Sequence, residues 1–168
     1  TSRKKIRIGP EDNGRRMSLD DFDEAIAAEG YLYELGRGVI EVSGIPDPNH
    51  AAQVAAVRNQ FVLYQSAHPD ALYEVLGGGE AKMLIGPLQS ERHPDGSVYL
   101  TPPPEVSDVW SLWVPRIVVE IVSPRSAKRD YEDKPEEYWE FGVDEYWIVD
   151  KAKNQMSVLS RWRGPWKK

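Results

Sequence analysis

The sequence predicts one α/β domain built on a mixed sheet, and three stretches carry that expectation. Arg116 to Asp150 holds two continuous apolar runs of strand length around a charged segment of helical character, the pattern of a buried strand, a crossover helix and a second buried strand. Tyr31 to Ser43 reads as a hairpin turning at Gly36-Arg37. His50 to Ala67 reads as a helix with Val54, Val57, Phe61 and Tyr64 along one face. Helix, hairpin, helix, strands, buried strand, helix and strands in that order point to a mixed sheet with helices packed on it.

The 168 residues fit one domain, expected over 17–168 with residues 1–16 as a loose arm or partly ordered edge, because that start is polar and aperiodic. The first helix is expected from the cap Ser18, through Leu19, Phe22, Ile26 and Ala27, to Gly30. Asp47 or Asn49 is placed to cap the helix at His50, and His68-Pro69-Asp70 stops it. Strands follow at Ala71 to Leu76, Lys82 to Ile85 and Ser90 to Leu100. Between the first two, Gly77-Gly78-Gly79 reads as a bulge or turn, since no Gly-Lys-Ser/Thr follows it. Pro102 to Pro104 form an extended linker, and Gln155 to Arg161 returns as a hairpin partner of Tyr146 to Asp150.

Composition narrows the function classes. The absence of cysteine excludes disulfides and thiolate metal sites and fits a reducing cytoplasm. No apolar run approaches the roughly 18 to 20 residues of a membrane span, and the start lacks the apolar core of a signal peptide. The net charge of −6 repels nucleic acid as a whole, so any such site must be local. Basic residues gather at Arg3, Lys4, Lys5 and Arg7, at Arg161, Arg163, Lys167 and Lys168, and around Arg125, Lys128 and Arg129; the terminal groups read as solvated tails.

Glu120 interrupts the aliphatic run Ile117 to Val122, and a buried charge there requires a partner. An ion pair with Arg116 or Arg125, an edge facing solvent and a bound cation all satisfy that requirement. Phosphodiester hydrolysis needs a cation to neutralise charge and acidify a water. Magnesium uses one or two carboxylates and keeps several waters. Asp95 and Glu120 meet that need if their strands pair, with Lys134 entering from the following helix. Each has a plainer reading: Pro94-Asp95-Gly96 as a turn, and Asp133-Lys134-Pro135 as a helix start with a surface lysine. His68 and His93 lack partners at zinc-ligand spacing. Tyr138, Trp139, Tyr146 and Trp147 read as core. Ser123 as a hydrolase nucleophile lacks a histidine base nearby in sequence.

Taken in order, Tyr33-Glu34-Leu35 with the Gly36-Arg37-Gly38 turn, His50 opening a helix, Pro94-Asp95, Val119-Glu120-Ile121-Val122-Ser123-Pro124, Arg129-Asp130, Lys134, Tyr138 and Glu145 to Asp150 resemble one family. The chain is similar from Met17 to Asp150 to the Uma-two family of restriction-endonuclease-like proteins, a branch of the PD-(D/E)XK nuclease superfamily. The resemblance implies a mixed central sheet flanked by helices and a DNA endonuclease using magnesium or manganese. It implies Asp95, Glu120 and the Ile121 carbonyl as cation ligands, Glu34 as a further ligand or water-orienting group, and Lys134 as the catalytic base-side cation. His50 and Asp130 are expected beside this set. The superfamily's lysine two residues after the glutamate is Val122 here, its role moved to Lys134 on the next helix. Cutting both strands calls for a homodimer. The rival reading is a silent binding or assembly module on the same fold.

Overall fold

The computed structural model describes residues 5–166, so Arg3, Lys4, Lys167 and Lys168 lie outside the described residues. The elements are β1 (Arg7–Ile8), α1 (Leu19–Asp23), β2 (Ile26–Ala27), β3 (Tyr31–Gly36), β4 (Val39–Gly44), α2 (Pro48–Ala67), β5 (Glu74–Gly77), β6 (Met83–Ile85), β7 (Ser90–Arg92), β8 (Gly96–Tyr99), α3 (Val109–Leu112), β9 (Ile117–Ile121), α4 (Lys134–Phe141), β10 (Glu145–Asp150) and β11 (Gln155–Ser160). One turn of π-helix, Arg129–Asp133, leads directly into α4.

The central sheet has the order β11-β10-β9-β8-β5. β9 and β10 run parallel while the other neighbours are antiparallel, so the sheet is mixed as expected. The parallel pair exists because the π-turn and α4 carry the chain back across the sheet. Alternation along β9 then assigns its faces. Val118 joins Tyr138, Tyr146 and Ile148 in the core under α4. Val119 and Ile121 meet Val54, Val57 and Phe61 of α2 on the other face. A second, antiparallel sheet has the order β4-β3-β7-β6.

The stretch expected as one strand from Ser90 to Leu100 is two strands in two different sheets. Pro94 has no N–H to give a ladder, and His93-Pro94-Asp95 becomes the passage between the sheets. The first helix is shorter than expected. Ser18 caps it, its hydroxyl accepting from the Asp21 amide at 3.2 Å, but Ile26 and Ala27 leave the helix to pair with β1. The stretch expected as a loose arm or partly ordered edge is, from residue 5, an ordered edge. Ile8 is buried with Leu19, Phe22, Leu35 and Ile40, and Arg16 bridges to Val39. Sequence polarity hid this because one buried side chain, Ile8, together with pairing to Ile26 and Ala27, anchors a mostly polar segment.

Asp47 caps α2, accepting from the amides of Asn49 at 2.8 Å and His50 at 3.0 Å. Val54, Val57 and Phe61 face the sheet as expected, whereas Tyr64 is exposed and packs on His68 with ring centroids 4.5 Å apart. The glycine run is a turn, with Gly79 at φ +81° and the Gly77 amide donating to Glu80 at 2.6 Å. No helix among the described residues is long and apolar enough to cross a membrane.

Candidate active site

Glu120 lies near the end of β9 on the α4 face, with a side chain only 5% exposed. Its partner is neither Arg116, which pairs with Asp144 at 2.6 Å, nor the exposed Arg125. It is Lys134, whose Nζ is 2.8 Å from Glu120 Oε1. Lys134 does begin α4 ahead of Pro135, as a helix-start reading requires, yet it points inward and is buried. The Tyr138 hydroxyl, one turn further along α4, donates to the same Oε1. Both donors use Oε1, and neither takes Oε2.

Asp95 stands in the passage between β7 and β8. Its Oδ2 accepts from the Ile121 amide at 2.8 Å, fixing it to the strand that carries Glu120, and its Oδ1 is 3.2 Å from His50 Nε2. The start of α2 therefore brings a half-buried His50 to the site, its amide capped by Asp47 and its ring on Asp95. Glu34 reaches in from β3, where its Oε1 accepts from the His93 amide at 2.9 Å and its Oε2 lies 3.6 Å from Lys134. Asp130 of the π-turn lies 3.4 Å from Lys134, one helical turn before it. The structure thus brings Glu34, Asp95, Glu120, Lys134, His50 and Asp130 into one constellation, with Ile121 contributing its amide to Asp95.

Several carboxylates therefore surround one ammonium. Burial pushes Glu120 up to about 8, opposed by Lys134 and reinforced by Asp95, Asp130 and Glu34. Burial likewise raises Asp130, against Lys134. Burial would lower Lys134, but Glu120, Glu34 and Asp130 outweigh it and hold the ammonium well above its usual range. Glu34 behaves differently: despite burial, Lys134 and Arg92 hold its carboxyl down at about 2. The His50 imidazole is raised, first by its bond to Asp95 and against its burial.

Arg92 is an organiser of the site that sequence reasoning missed. Its guanidinium is fully buried and forks onto Glu137 of α4 at 2.5 and 3.0 Å, with further contacts to Glu41 at 2.6 Å and Glu34 at 3.3 Å. Arg129 meets Glu41 from the π-turn at 3.4 Å. The available signal was Ser90-Glu91-Arg92, three consecutive polar residues in a strand, all of them buried. Tyr138, read as core, is core on its ring and part of the site at its hydroxyl.

Among the described residues no three histidine, aspartate or glutamate side chains form a ready-made metal cage. A hard divalent ion that keeps its waters needs only one or two carboxylates. Two features of the donor set are compatible with such an ion. The carboxylates outnumber the ammonium they surround, and both Asp130 carboxylate oxygens are buried without a hydrogen bond. Ser123 is otherwise engaged, its hydroxyl donating to Ser126 Oγ at 3.1 Å in the turn before the π-helix.

Comparison with known proteins bears on the fold and the family. A crystal structure described as a putative nuclease, from Anabaena variabilis ATCC 29413, superposes with a TM-score of 0.71 at 19% identity, over 90% of this chain and 82% of that one. That likeness is one of fold, the restriction-endonuclease-like arrangement of sheet and helices. No curated protein matches the chain. The family model Uma2, described as "Putative restriction endonuclease", matches residues 19–168, and the chain therefore belongs to the Uma2 family.

Proposed function

We propose that the protein is a magnesium- or manganese-dependent endonuclease that hydrolyses DNA phosphodiester bonds with a metal-activated water. The observation that carries this reading is the union of Asp95 and Glu120 through the Ile121 amide at 2.8 Å, in a cluster where carboxylates outnumber the ammonium. Asp95, Glu120 and the Ile121 carbonyl would hold the cation. A bound divalent ion would supply charge neutralisation at the phosphate and a more acidic water.

The chain's own groups have separable tasks in this reading. Lys134 and Tyr138 fix Glu120 through Oε1 and do not occupy Oε2. His50 turns Asp95, and Asp130 and Glu34 keep Lys134 protonated. The Lys134 ammonium takes the part that Val122 cannot play, steadying the attacking water and the phosphate. Glu34 orients water at the rim. A twofold homodimer acting in the cytoplasm would present two such sites to two strands.

The test is cleavage of plasmid DNA under magnesium and manganese titration, beside calorimetry of the same cations. Glu120→Ala should abolish metal-dependent cutting in a folded protein, and unchanged cutting would end the reading. One observation favours a silent module instead: Lys134 already contacts Glu120, Asp130 and Glu34. Such a module would show no cation uptake dependent on Asp95 and Glu120.

A further inference from the structure

α2 covers only half of the sheet face it packs on. Its inner side meets Val119 and Ile121 of β9, and Phe61 reaches as far as Trp147 of β10, with ring centroids 5.3 Å apart. The register carries that face onward: Val119, Trp147 and Val158 form one cross-strand row, and Ile121, Val149 and Met156 form the next. Past Trp147 the cover ends, leaving Val158 41% and Met156 56% exposed. Strands in a parallel pair are normally covered on both faces, so β10 and its neighbour β11 lack a helix on this side.

α2 has the converse deficit. It is 20 residues long, yet none of them is buried. By helical period, Ala52, Ala56, Asn59 and Leu63 form a ridge on the side opposite Val54, Val57 and Phe61, and all four are exposed, Leu63 by 63%. The chain is 29% charged, but Arg58 is the only lysine, arginine, aspartate or glutamate in α2, and β11 holds none. Arg58 itself is taken by Glu80 at 3.0 Å. An exposed surface so depleted of charge has the composition of an interface core and offers no counter-ion to a charged partner.

We propose that a second copy of this chain fills both deficits: across a twofold axis, the ridge of each α2 lies on the β10–β11 face of the other copy. The two α2 helices then run side by side between the two sheets. A face that lacks a helix and a helix that lacks a face sit next to each other on one chain, which is the self-complementarity an isologous contact requires. The size agrees. A helix of this length presents a side about 30 Å by 10 Å, and two six-residue strands present about 20 Å by 10 Å. Together they give about 500 Å² on each copy and about 1,000 Å² over the pair, where specific interfaces begin. The contact supplies the twofold homodimer of the nuclease reading with its face, and it stands without that reading because no part of it involves DNA.

The experiment is sedimentation of the full chain across micromolar concentrations, where the parent should be a dimer. Met156→Lys/Val158→Lys on the sheet side and Leu63→Glu on the helix side should each raise the dimer dissociation constant more than about a hundredfold, since each buries charge without a partner. Leu112→Lys, at a position 61% exposed on α3, should dimerise as the parent does. Mixing the Leu63→Glu variant with the double lysine variant should restore a dimer, because one contact then pairs Glu with Lys and the other keeps the parent residues. Misfolding cannot imitate that gain. A monomeric parent overturns the proposal and leaves the face to some other occupant. A dimer indifferent to Leu63→Glu, the result that edge-to-edge pairing of β11 would give, overturns it as well, and so does a mixture that stays monomeric. Failure of the nuclease reading looks different: the parent dimerises through this face yet never cuts DNA with any divalent cation.

Discussion

Lys134 Nζ lies 2.8 Å from Glu120 Oε1 in a region where both side chains are 5% exposed. The pair joins the buried strand of the central sheet to the first residue of the crossover helix. It is at once the electrostatic keystone of the fold and the centre of the candidate site, so the two roles must be separated by substitutions that alter one and spare the other.

Glu120→Gln is the sparing change. The amide keeps an oxygen for Lys134 and Tyr138 but loses the negative charge that a cation needs. We expect a folded protein with a melting temperature within a few degrees of the parent and cutting below detection. Circular dichroism and plasmid cleavage check the two halves.

Lys134→Met removes the ammonium and leaves Glu120, Asp130 and Glu34 buried without it. The expected cost is about 3–5 kcal/mol, the scale for breaking one side of a buried pair. Because the abandoned carboxyls recover by taking up protons, the loss should be smaller at pH 5 than at pH 8. Urea denaturation at both values measures it.

Glu34 carries a definite acid dependence. Its folded carboxyl is held at about 2 against an ordinary 4.5, so its contribution is complete above pH 4.5 and fades as pH falls toward 2. Glu34→Gln should flatten that limb, by on the order of 3 kcal/mol at most between its ends. Glu120, raised to about 8, acts in the opposite sense between pH 4.5 and 8, and the difference between the two proteins' curves removes it.

His50→Ala deletes the ring that touches Asp95 at 3.2 Å while leaving the Asp47 cap on its amide. Loss of a group that orients a metal ligand costs 10–100-fold in metal affinity as an order of magnitude, so about that rise in the magnesium requirement is expected. Cleavage at saturating magnesium should fall less. A magnesium titration of initial rates separates the two.

Arg92→Lys should not rescue Arg92. The fork onto Glu137 needs two parallel donors, and one ammonium cannot also reach Glu41 and Glu34. We expect a loss of about 3 kcal/mol or more for the lysine variant, with the methionine variant lower still. Denaturant melts of both test this.

The sequence by itself determined the elements whose causes are local. The Tyr31–Gly36 and Val39–Gly44 hairpin follows from alternation around Gly36-Arg37, and α2 starts where Asp47 can cap it. The strand, crossover helix and parallel strand from Ile117 to Asp150 follow from two apolar runs of the right length. Even the demand that Glu120 have a partner was legible, because burying a lone carboxylate costs too much.

Tertiary structure decided which partner it would be. Arg116, Arg125 and Lys134 were all cations within reach along the chain, and only strand pairing and the direction of α4 select Lys134 and add Tyr138. The same holds for Arg92, whose three carboxylates come from β3, β4 and α4. It holds for Ile26 and Ala27, taken from a helical pattern by pairing with Arg7 and Ile8. Propensity, capping and alternation act over a few residues, whereas the mate of a buried charge is set by which segments the chain folds into contact.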